Sequence, residues 1–270
     1  MTAAGKYEVR LDRYESKYII PRSALPEIRE FIRPFCEPDS HSHGDPPEYT
    51  ITTLQLDTCD LALHQAKLHE STARFKLRAR TYGVPGESVV MAEVKRKYGR
   101  TIVKSRANIP FDAWGEQLMR EPRLSLSFKT RSEEEGFLDF VRLVREVDAR
   151  PVVLIRYIRE SYFGVHDPYA RVTFDRRLEY QPTASWDSWG RNGHWRAMDQ
   201  PLIQNQGFAF SGVVMEVKTL NDAPQWMVEL VMRFNLDRIG HCKYSDAIWQ
   251  ESLFNSSIDG PYAAEDLEES

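Results

Sequence analysis

The chain has 270 residues, of which 41% are hydrophobic and 28% are charged, and its formal net charge is −4. The apolar content is sufficient for a packed core, which excludes global disorder, and the acidic balance argues against a generally basic surface that binds nucleic acid. The sequence shows no secretory leader and no apolar run near the ~20 residues of a membrane helix, so we expect a cytoplasmic protein. Its three cysteines form no CxxC pair, so we expect neither a disulfide framework nor a structural zinc site.

The first part of the chain predicts five strands and two helices. Alternating or β-branched residues predict strands over residues 14–20, 49–57, 74–80, 89–97 and 101–109. Apolar residues at helical spacing predict helices over residues 21–35 and 61–66. Between them, residues 37–48 are rich in Pro, His and Asp, which indicates a loop.

From residue 110 to residue 150 the apolar spacing becomes helical, and Ser132 with Glu135 fits a capping box at the start of a helix. Three further strands follow, with an excursion that contains several tryptophans between the second and the third. We predict these strands over residues 151–163, 170–180 and 208–220.

The end of the chain returns to helical patterns. Asp222 with Pro224 opens one helix, and residues 245–254 predict a second, shorter one. We expect a single α+β domain over residues 1–254, dominated by antiparallel strands, and an acidic, disordered tail over residues 255–270.

One predicted strand, RFKLRAR, carries a row of cations. Arg74, Lys76, Arg78 and Arg80 occupy alternate positions, so they share one face of the strand, and apolar residues occupy the other face. Like charges in line are unfavourable unless an anion lies against them. The strand therefore indicates an anionic ligand.

The alternation recurs, with carboxylates mixed in, on other predicted strands. The charged residues that share a face are Glu15 and Lys17, Glu93, Lys95 and Lys97, Arg171 and Asp175, and Glu216 and Lys218. Closed into a barrel, such strands would direct their charged faces into a lumen and their apolar faces toward helices outside. The alternative is a set of solvated faces on an open sheet.

Cations outnumber carboxylates in such a lumen, which indicates a polyanion such as a chain of phosphates. A remaining glutamate could hold a divalent metal against phosphate oxygens, because hard cations prefer oxygen ligands. Arg96 and Arg177 lie on the opposite faces and are predicted at the surface, whereas Lys104 and Arg106 fit either face. No P-loop, Rossmann GxGxxG or HExxH motif is present, which argues against the common nucleotide folds.

Seven short motifs follow one another along the chain: RYESKY (Arg13–Tyr18), QLDT (55–58), FKLRARTYG (75–83), AEVKRK (92–97), RVTFDR (171–176), MEVKT (215–219) and KYS (243–245). In this order they resemble the VTC domain, the polyphosphate polymerase domain of the vacuolar transporter chaperone complex and its bacterial relatives. That family is similar to the CYTH domains and belongs to the triphosphate tunnel metalloenzymes.

The resemblance implies an α+β fold with an antiparallel β-barrel tunnel, helices packed outside it, and Mn²⁺ or Mg²⁺ as cofactor. It implies a metal-dependent phosphotransferase, a polyphosphate polymerase that transfers the γ-phosphate of ATP to a growing inorganic polyphosphate chain. Two alternatives stay open: a hydrolase of tripolyphosphate or nucleoside triphosphates, and a non-catalytic module that binds polyphosphate. Nucleic acid is not an expected partner.

The resemblance also implies roles for individual residues. We expect the catalytic group to comprise Arg78, Arg80, Lys95, Arg171 and Glu216. Glu216 matches the metal-holding glutamate, and strand alternation, apart from the resemblance, adds Glu93 as an alternative ligand. Further family matches that would bind substrate are Lys17, Lys104 and Lys243. Strand alternation alone adds Arg74, Lys76, Lys97, Arg159 and Lys218 as substrate-binding residues.

The chain departs from the superfamily pattern at its first strand, where the motif ExExK has Arg13 in place of the first glutamate. The VTC branch shows a similar RYExKY pattern. Because the carboxylate supply is thin, Glu216 would hold a metal together with phosphate oxygens and water. The regulatory SPX domain and the membrane helices of the eukaryotic complex are missing, so a membrane partner protein, the oligomeric state and the regulation stay open.

Overall fold

A computed structural model describes residues 14–84, 86, 88–99, 101–121, 126–190, 193–198, 212–220 and 222–258. Within these residues the fold is α+β, with ten strands and six α-helices. The strands are β1 (Tyr14–Pro21), β2 (Cys36–Pro38), β3 (Glu48–Asp57), β4 (Ala73–Tyr82), β5 (Val90–Tyr98), β6 (Thr101–Ile109), β7 (Arg150–Gly164), β8 (Arg171–Pro182), β9 (Arg196–Ala197) and β10 (Gly212–Thr219). The helices are α1 (Leu25–Ile32), α2 (Ala62–Leu68), α3 (Glu116–Arg120), α4 (Arg131–Glu146), α5 (Gln225–Arg233) and α6 (Lys243–Ile258).

The strands form one hydrogen-bonded path in the order β1-β10-β8-β7-β3-β4-β5-β6, with β2 beside β7 and β9 beside β8. The pairs β1–β10, β10–β8, β3–β4, β4–β5 and β5–β6 are antiparallel. Because β1 and β6 end the path and do not pair with each other in the described residues, the sheet is not closed. The predicted mostly antiparallel α+β fold is confirmed, and the predicted barrel is not.

The chain divides into two compact units. The first contains residues 14–48, 160–175 and 212–240 as far as they are described. Its core joins apolar residues of β1, β8 and β10 to α1 and α5, for example Ile20, Ile28, Phe174, Met215 and Leu230. Since Val213, Met215 and Val217 alternate into this core, Glu216 and Lys218 lie on the opposite face of β10.

The second unit contains residues 49–159, 176–198 and 241–258 of the described chain. Helix α4 packs on the apolar face of β5 and β6, and the core includes Leu77, Val94, Phe137 and Phe140. Close approach depends on Gly136, where a Cβ would lie 2.8 Å from the carbonyl oxygen of Arg106. The cations of β4 therefore lie on the sheet face away from α4.

The start of α4 corrects one prediction. Its N-cap is Thr130, whose Oγ1 accepts a hydrogen bond from the backbone N–H of Glu133 at 3.2 Å. The carboxylate of Glu133 in turn accepts the N–H of Lys129 at 3.0 Å. The predicted capping box, Ser132 with Glu135, is two residues too late, because the same residue types occur at both spacings and the sequence does not rank them.

Other boundaries also differ from the sequence predictions. The first predicted helix is a 3-10 turn over Arg22–Ala24 followed by α1, and the predicted loop contains β2. Helix α6 continues to Ile258, four residues into the predicted tail, since each added helical residue gains one hydrogen bond even where Asn and Ser have low propensity. Residues 208–211 of the last predicted strand and residues 259–270 of the tail lie outside the described residues.

No helix in the described part of the chain combines the length and the apolar composition that crossing a membrane requires.

Candidate functional site

Charged side chains of the second unit form rows across β4, β5 and β6. Arg78, Glu93 and Arg106 are direct cross-strand neighbours, and we call them the arginine row. Two residues along each strand, Lys76, Lys95 and Lys104 form the lysine row. Arg74 and Lys97 follow as a third pair on β4 and β5. Cross-strand partners point to the same face, so the alternation predicted from the sequence brings these residues together.

Glu93 is the centre of the arginine row. Its Oε2 accepts a hydrogen bond from Nε of Arg78 at 2.6 Å, and its Oε1 accepts one from Nε of Arg106 at 2.9 Å. Nη2 of Arg80 lies 3.6 Å from Oε2. Burial opposes ionisation of Glu93, but the three guanidinium groups outweigh it and lower its pKa to about 2. Glu93 is therefore a buried, charged carboxylate held by arginines.

Arg80 is the most deeply buried cation of β4, with 9% of its surface exposed. Its Nη1 donates a hydrogen bond to Oη of Tyr82 at 3.3 Å. Its Nε has no hydrogen-bond partner in the described residues. A buried donor without an acceptor costs about 1–3 kcal/mol, so this N–H suits an oxygen atom supplied by a ligand.

The lysine row sets ammonium groups directly opposite one another, since Lys95 pairs with Lys76 on one side and with Lys104 on the other. Like charges in this arrangement destabilise a sheet unless an anion offsets them. One offsetting group is a thiol, because Nζ of Lys76 donates a hydrogen bond to Sγ of Cys242 at 2.9 Å. The structure thus places three lysines side by side on one sheet face, with the sulfur of Cys242 next to one of them.

An aromatic ring on β7 extends the same group of residues. Nζ of Lys243 lies 4.7 Å from the ring centre of Tyr157, and the guanidinium of Arg159 lies 5.3 Å from it. Neither Tyr157 nor Arg106 was assigned to the site from sequence, although each alternates with a cation that was.

The first unit carries a second charged face, on β1, β10 and β8. Lys17 pairs with Glu216, which pairs with Thr173, while Lys218 pairs with Glu15 on one side and Arg171 on the other. The ammonium of Lys17 lies 3.9 Å from Oε1 of Glu15, and that of Lys218 lies 3.6 Å from Oε1 of Glu216. Here carboxylates alternate with cations, so this face is less cationic than the rows on β4, β5 and β6.

Arg171 is held at three points within the first unit. Its Nε donates a hydrogen bond to Oγ of Ser161 at 2.9 Å, and its Nη2 donates one to Oδ2 of Asp39 at 3.3 Å. Its guanidinium lies 4.6 Å from the ring centre of Phe163. Asp39 was not predicted as a site residue, because it lies in the predicted loop, where no periodicity shows which way a side chain points.

The donor set around Glu216 fits a hard divalent cation in part. Glu216 is 6% exposed, and its cross-strand neighbour Thr173 has a buried Oγ1 without a hydrogen-bond partner in the described residues. Carboxylate and hydroxyl oxygens are the ligand types that such cations prefer. No group of three His, Cys, Asp or Glu residues in the described residues could hold a metal alone, so further oxygens would come from substrate and water. Glu93 fits less well, since arginines occupy both of its oxygens.

The predicted residues thus fall into two groups, one in each unit. The second unit holds Arg74, Lys76, Arg78, Arg80, Glu93, Lys95, Lys97, Lys104, Arg159 and Lys243, and the first holds Lys17, Arg171, Glu216 and Lys218. Arg96 lies on the opposite face of β5, as predicted, but the prediction that it is at the surface is wrong. Its side chain is 16% exposed, because α4 covers this face and Nη2 lies 2.7 Å from Oδ1 of Asp139. Arg177 is exposed, as predicted.

Comparison with known proteins identifies the family of this chain. A search of curated proteins found no match. The structure of PH1819 protein from Pyrococcus horikoshii OT3 is similar at a TM-score of 0.43 and 11% sequence identity, over 88% of this chain and 99% of that chain. The model of the VTC domain matches residues 12–250, in agreement with the CYTH-like placement expected from the motifs. The chain therefore belongs to the VTC domain family.

Proposed function

We propose that this protein is a polyphosphate polymerase that transfers the γ-phosphate of ATP to a growing inorganic polyphosphate chain. The observation that carries the proposal is the arginine row and the lysine row side by side on β4, β5 and β6. Membership of the VTC domain family supports a function related to polyphosphate. The proposal includes the antiparallel barrel tunnel that the family resemblance implies, with the cationic strand faces directed into its lumen.

The spacing of the rows favours a chain over a small anion. Successive rows are two residues apart, which is about 7 Å along a strand, and the cations from Arg74 to Arg80 extend over about 20 Å. A single phosphate would contact one row only. A chain of phosphates would contact all of them and offset the repulsion between neighbouring lysines.

Phosphoryl transfer needs mainly positioning and neutralisation of charge, and the proposed roles follow from that. In the second unit, the phosphates would be held by Arg78, Arg80 and Lys95. In the first unit, Arg171 would hold phosphate on the charged face. A terminal oxygen of the polyphosphate chain attacks the γ-phosphorus as the bond to the ADP oxygen breaks. Because this nucleophile is already an anion, no general base is required.

Mn²⁺ or Mg²⁺ belongs to the proposal as a cofactor held by Glu216, with Thr173 beside it. The ion would neutralise charge on phosphate oxygens and orient them. Lys17 and Lys218 lie next to Glu216 in the sheet and would offset part of the charge of its carboxylate.

Incubation of the full chain with ATP and Mn²⁺ tests the proposal, with polyphosphate detected on gels and orthophosphate measured in parallel. We expect chain growth, and we expect Glu216→Gln to lower the turnover rate at least about a hundredfold while tripolyphosphate still binds without metal. The matched control is Glu179→Gln, which removes a carboxylate that pairs with Arg156 at 2.7 Å outside the rows.

The same experiment separates the two alternatives. Release of orthophosphate without chain growth would identify a triphosphate hydrolase. Salt-sensitive binding of polyphosphate without turnover would identify a binding module. Full metal-dependent activity of Glu216→Gln would contradict the metal assignment.

A further inference from the structure

Glu93 is the acidic member of the arginine row, and its carboxylate lies against the guanidinium groups of its arginine neighbours. It is 4% exposed and is shared by Arg78, Arg80 and Arg106. Two of these arginines, Arg78 and Arg80, are the residues that the proposed function assigns to phosphate. A phosphate bound to them would therefore meet a fixed negative charge on the same guanidinium groups.

We propose that Glu93 is a resident counter-anion, which weakens phosphate binding at the arginine row so that a phosphate chain can be released and advanced. This inference rests on the proposed function. Without an anion, the three guanidinium groups that converge on this site would bind phosphate strongly in the ground state, and tight uniform binding does not raise turnover. A carboxylate that already satisfies part of their charge lowers that affinity while keeping the empty site stable.

The change in phosphate affinity when the charge of Glu93 is removed distinguishes this role from two others. A residue that only positions the arginines would strengthen phosphate binding, so its loss would weaken binding. A metal ligand would leave metal-free binding unchanged when lost. A counter-anion competes with phosphate, so its loss should strengthen metal-free binding. The three roles therefore predict three different directions for one measurement.

The measurement is calorimetric titration of the full chain with tripolyphosphate in the presence of a metal chelator. We expect Glu93→Gln, which has the same shape and no charge, to bind tripolyphosphate about tenfold more tightly than the unmodified chain. Glu93→Asp should stay near the unmodified chain, and so should Glu179→Gln as the matched control. In the polymerase assay Glu93→Gln should lower both KM and kcat, because product leaves more slowly. Equal or weaker binding by Glu93→Gln would overturn the inference.

Removing a buried charge could also prevent folding, and a second measurement covers that case. If Glu93→Gln is unfolded alone, tripolyphosphate should restore its cooperative unfolding transition, while sodium chloride of equal ionic strength should not. A variant that stays unfolded with tripolyphosphate would show that Glu93 is structural, and the inference would fail.

The results also separate this inference from the proposed function. An unmodified chain that forms no polyphosphate, together with the expected gain in affinity, would contradict the polymerase and leave the counter-anion standing. Chain growth without that gain would contradict the counter-anion alone. If the unmodified chain binds no tripolyphosphate and the variant binds none either, both fail.

Discussion

Cys242 immediately precedes α6, and its sulfur accepts a hydrogen bond from the ammonium of Lys76 at 2.9 Å. Burial alone would raise the pKa of this thiol, but the neighbouring positive charge outweighs burial and lowers the pKa to about 6. Cys36 shows the opposite case, since burial raises its pKa to about 12. The chain therefore has two kinds of thiol. Cys242 is a thiolate beside Lys76, a candidate phosphate-binding residue, and Cys36 is an inert thiol in the core of the first unit.

The pH dependence of alkylation tests this assignment. We expect the rate of Cys242 modification by iodoacetamide to rise through an inflection near pH 6, because the thiolate is the nucleophile. Lys76→Met should move the inflection upward toward the ordinary thiol pKa of about 8.5, and Lys76→Arg should keep it low. Peptide-level mass spectrometry separates Cys242 from the other two cysteines. An inflection that does not move in Lys76→Met would show that Lys76 is not the cause.

The strand faces were predictable from sequence, because alternation along a strand is a local property. All the cations of β4 lie on one face, as the pattern indicated. The partners within each row were not predicted, since they depend on the register of the hairpins, which is set by the turns and not by the alternation within a strand. Thus Glu93 was identified as a site residue, but its bond to Arg106 and the contact between Lys76 and Cys242 required the folded structure. Periodicity likewise gives no information in loops, where Asp39 lies.

At the scale of elements, the lysine row across β4, β5 and β6 should provide a salt-dependent part of polyphosphate affinity. Each lysine that contacts a phosphate chain displaces counterions, as in binding to nucleic acid, so its loss reduces the salt dependence. We expect Lys95→Ala with Lys104→Ala to lower the slope of log affinity against log salt by about one to two. Fluorescence anisotropy with labelled polyphosphate at several salt concentrations measures this slope.

A surface arginine outside the rows supplies the control for that measurement. Arg142 on α4 is exposed and lies 3.2 Å from Oδ1 of Asp139. Arg142→Ala removes one positive charge, the loss that each lysine substitution makes, and should leave the slope unchanged. If the double lysine variant behaves as Arg142→Ala does, the lysine row does not contact the polymer.

At the scale of the whole molecule, the net charge and the local charge have opposite signs. The chain is acidic overall, at −4, while three strands of its second unit collect arginines and lysines on one face. Much of the remaining charge is paired on helices, for example Arg131 with Glu135 and Arg120 with Glu116. In the described residues, positive charge is thus most concentrated on one face of these strands, where a chain of phosphates could follow the rows.

Binding of an anionic ligand to the rows should change the stability of the whole chain. A ligand that binds only the folded state at a hundred times its Kd stabilises it by about 2.7 kcal/mol, which raises the unfolding temperature of a chain of this size by roughly 5 °C. We expect tripolyphosphate to produce this shift in the unmodified chain, and Lys95→Ala with Lys104→Ala to reduce it. Sodium chloride at equal ionic strength should shift the temperature less, because it only screens the rows. Equal shifts from both salts, measured by differential scanning calorimetry, would show that the rows respond to ionic strength and do not form a polyphosphate site.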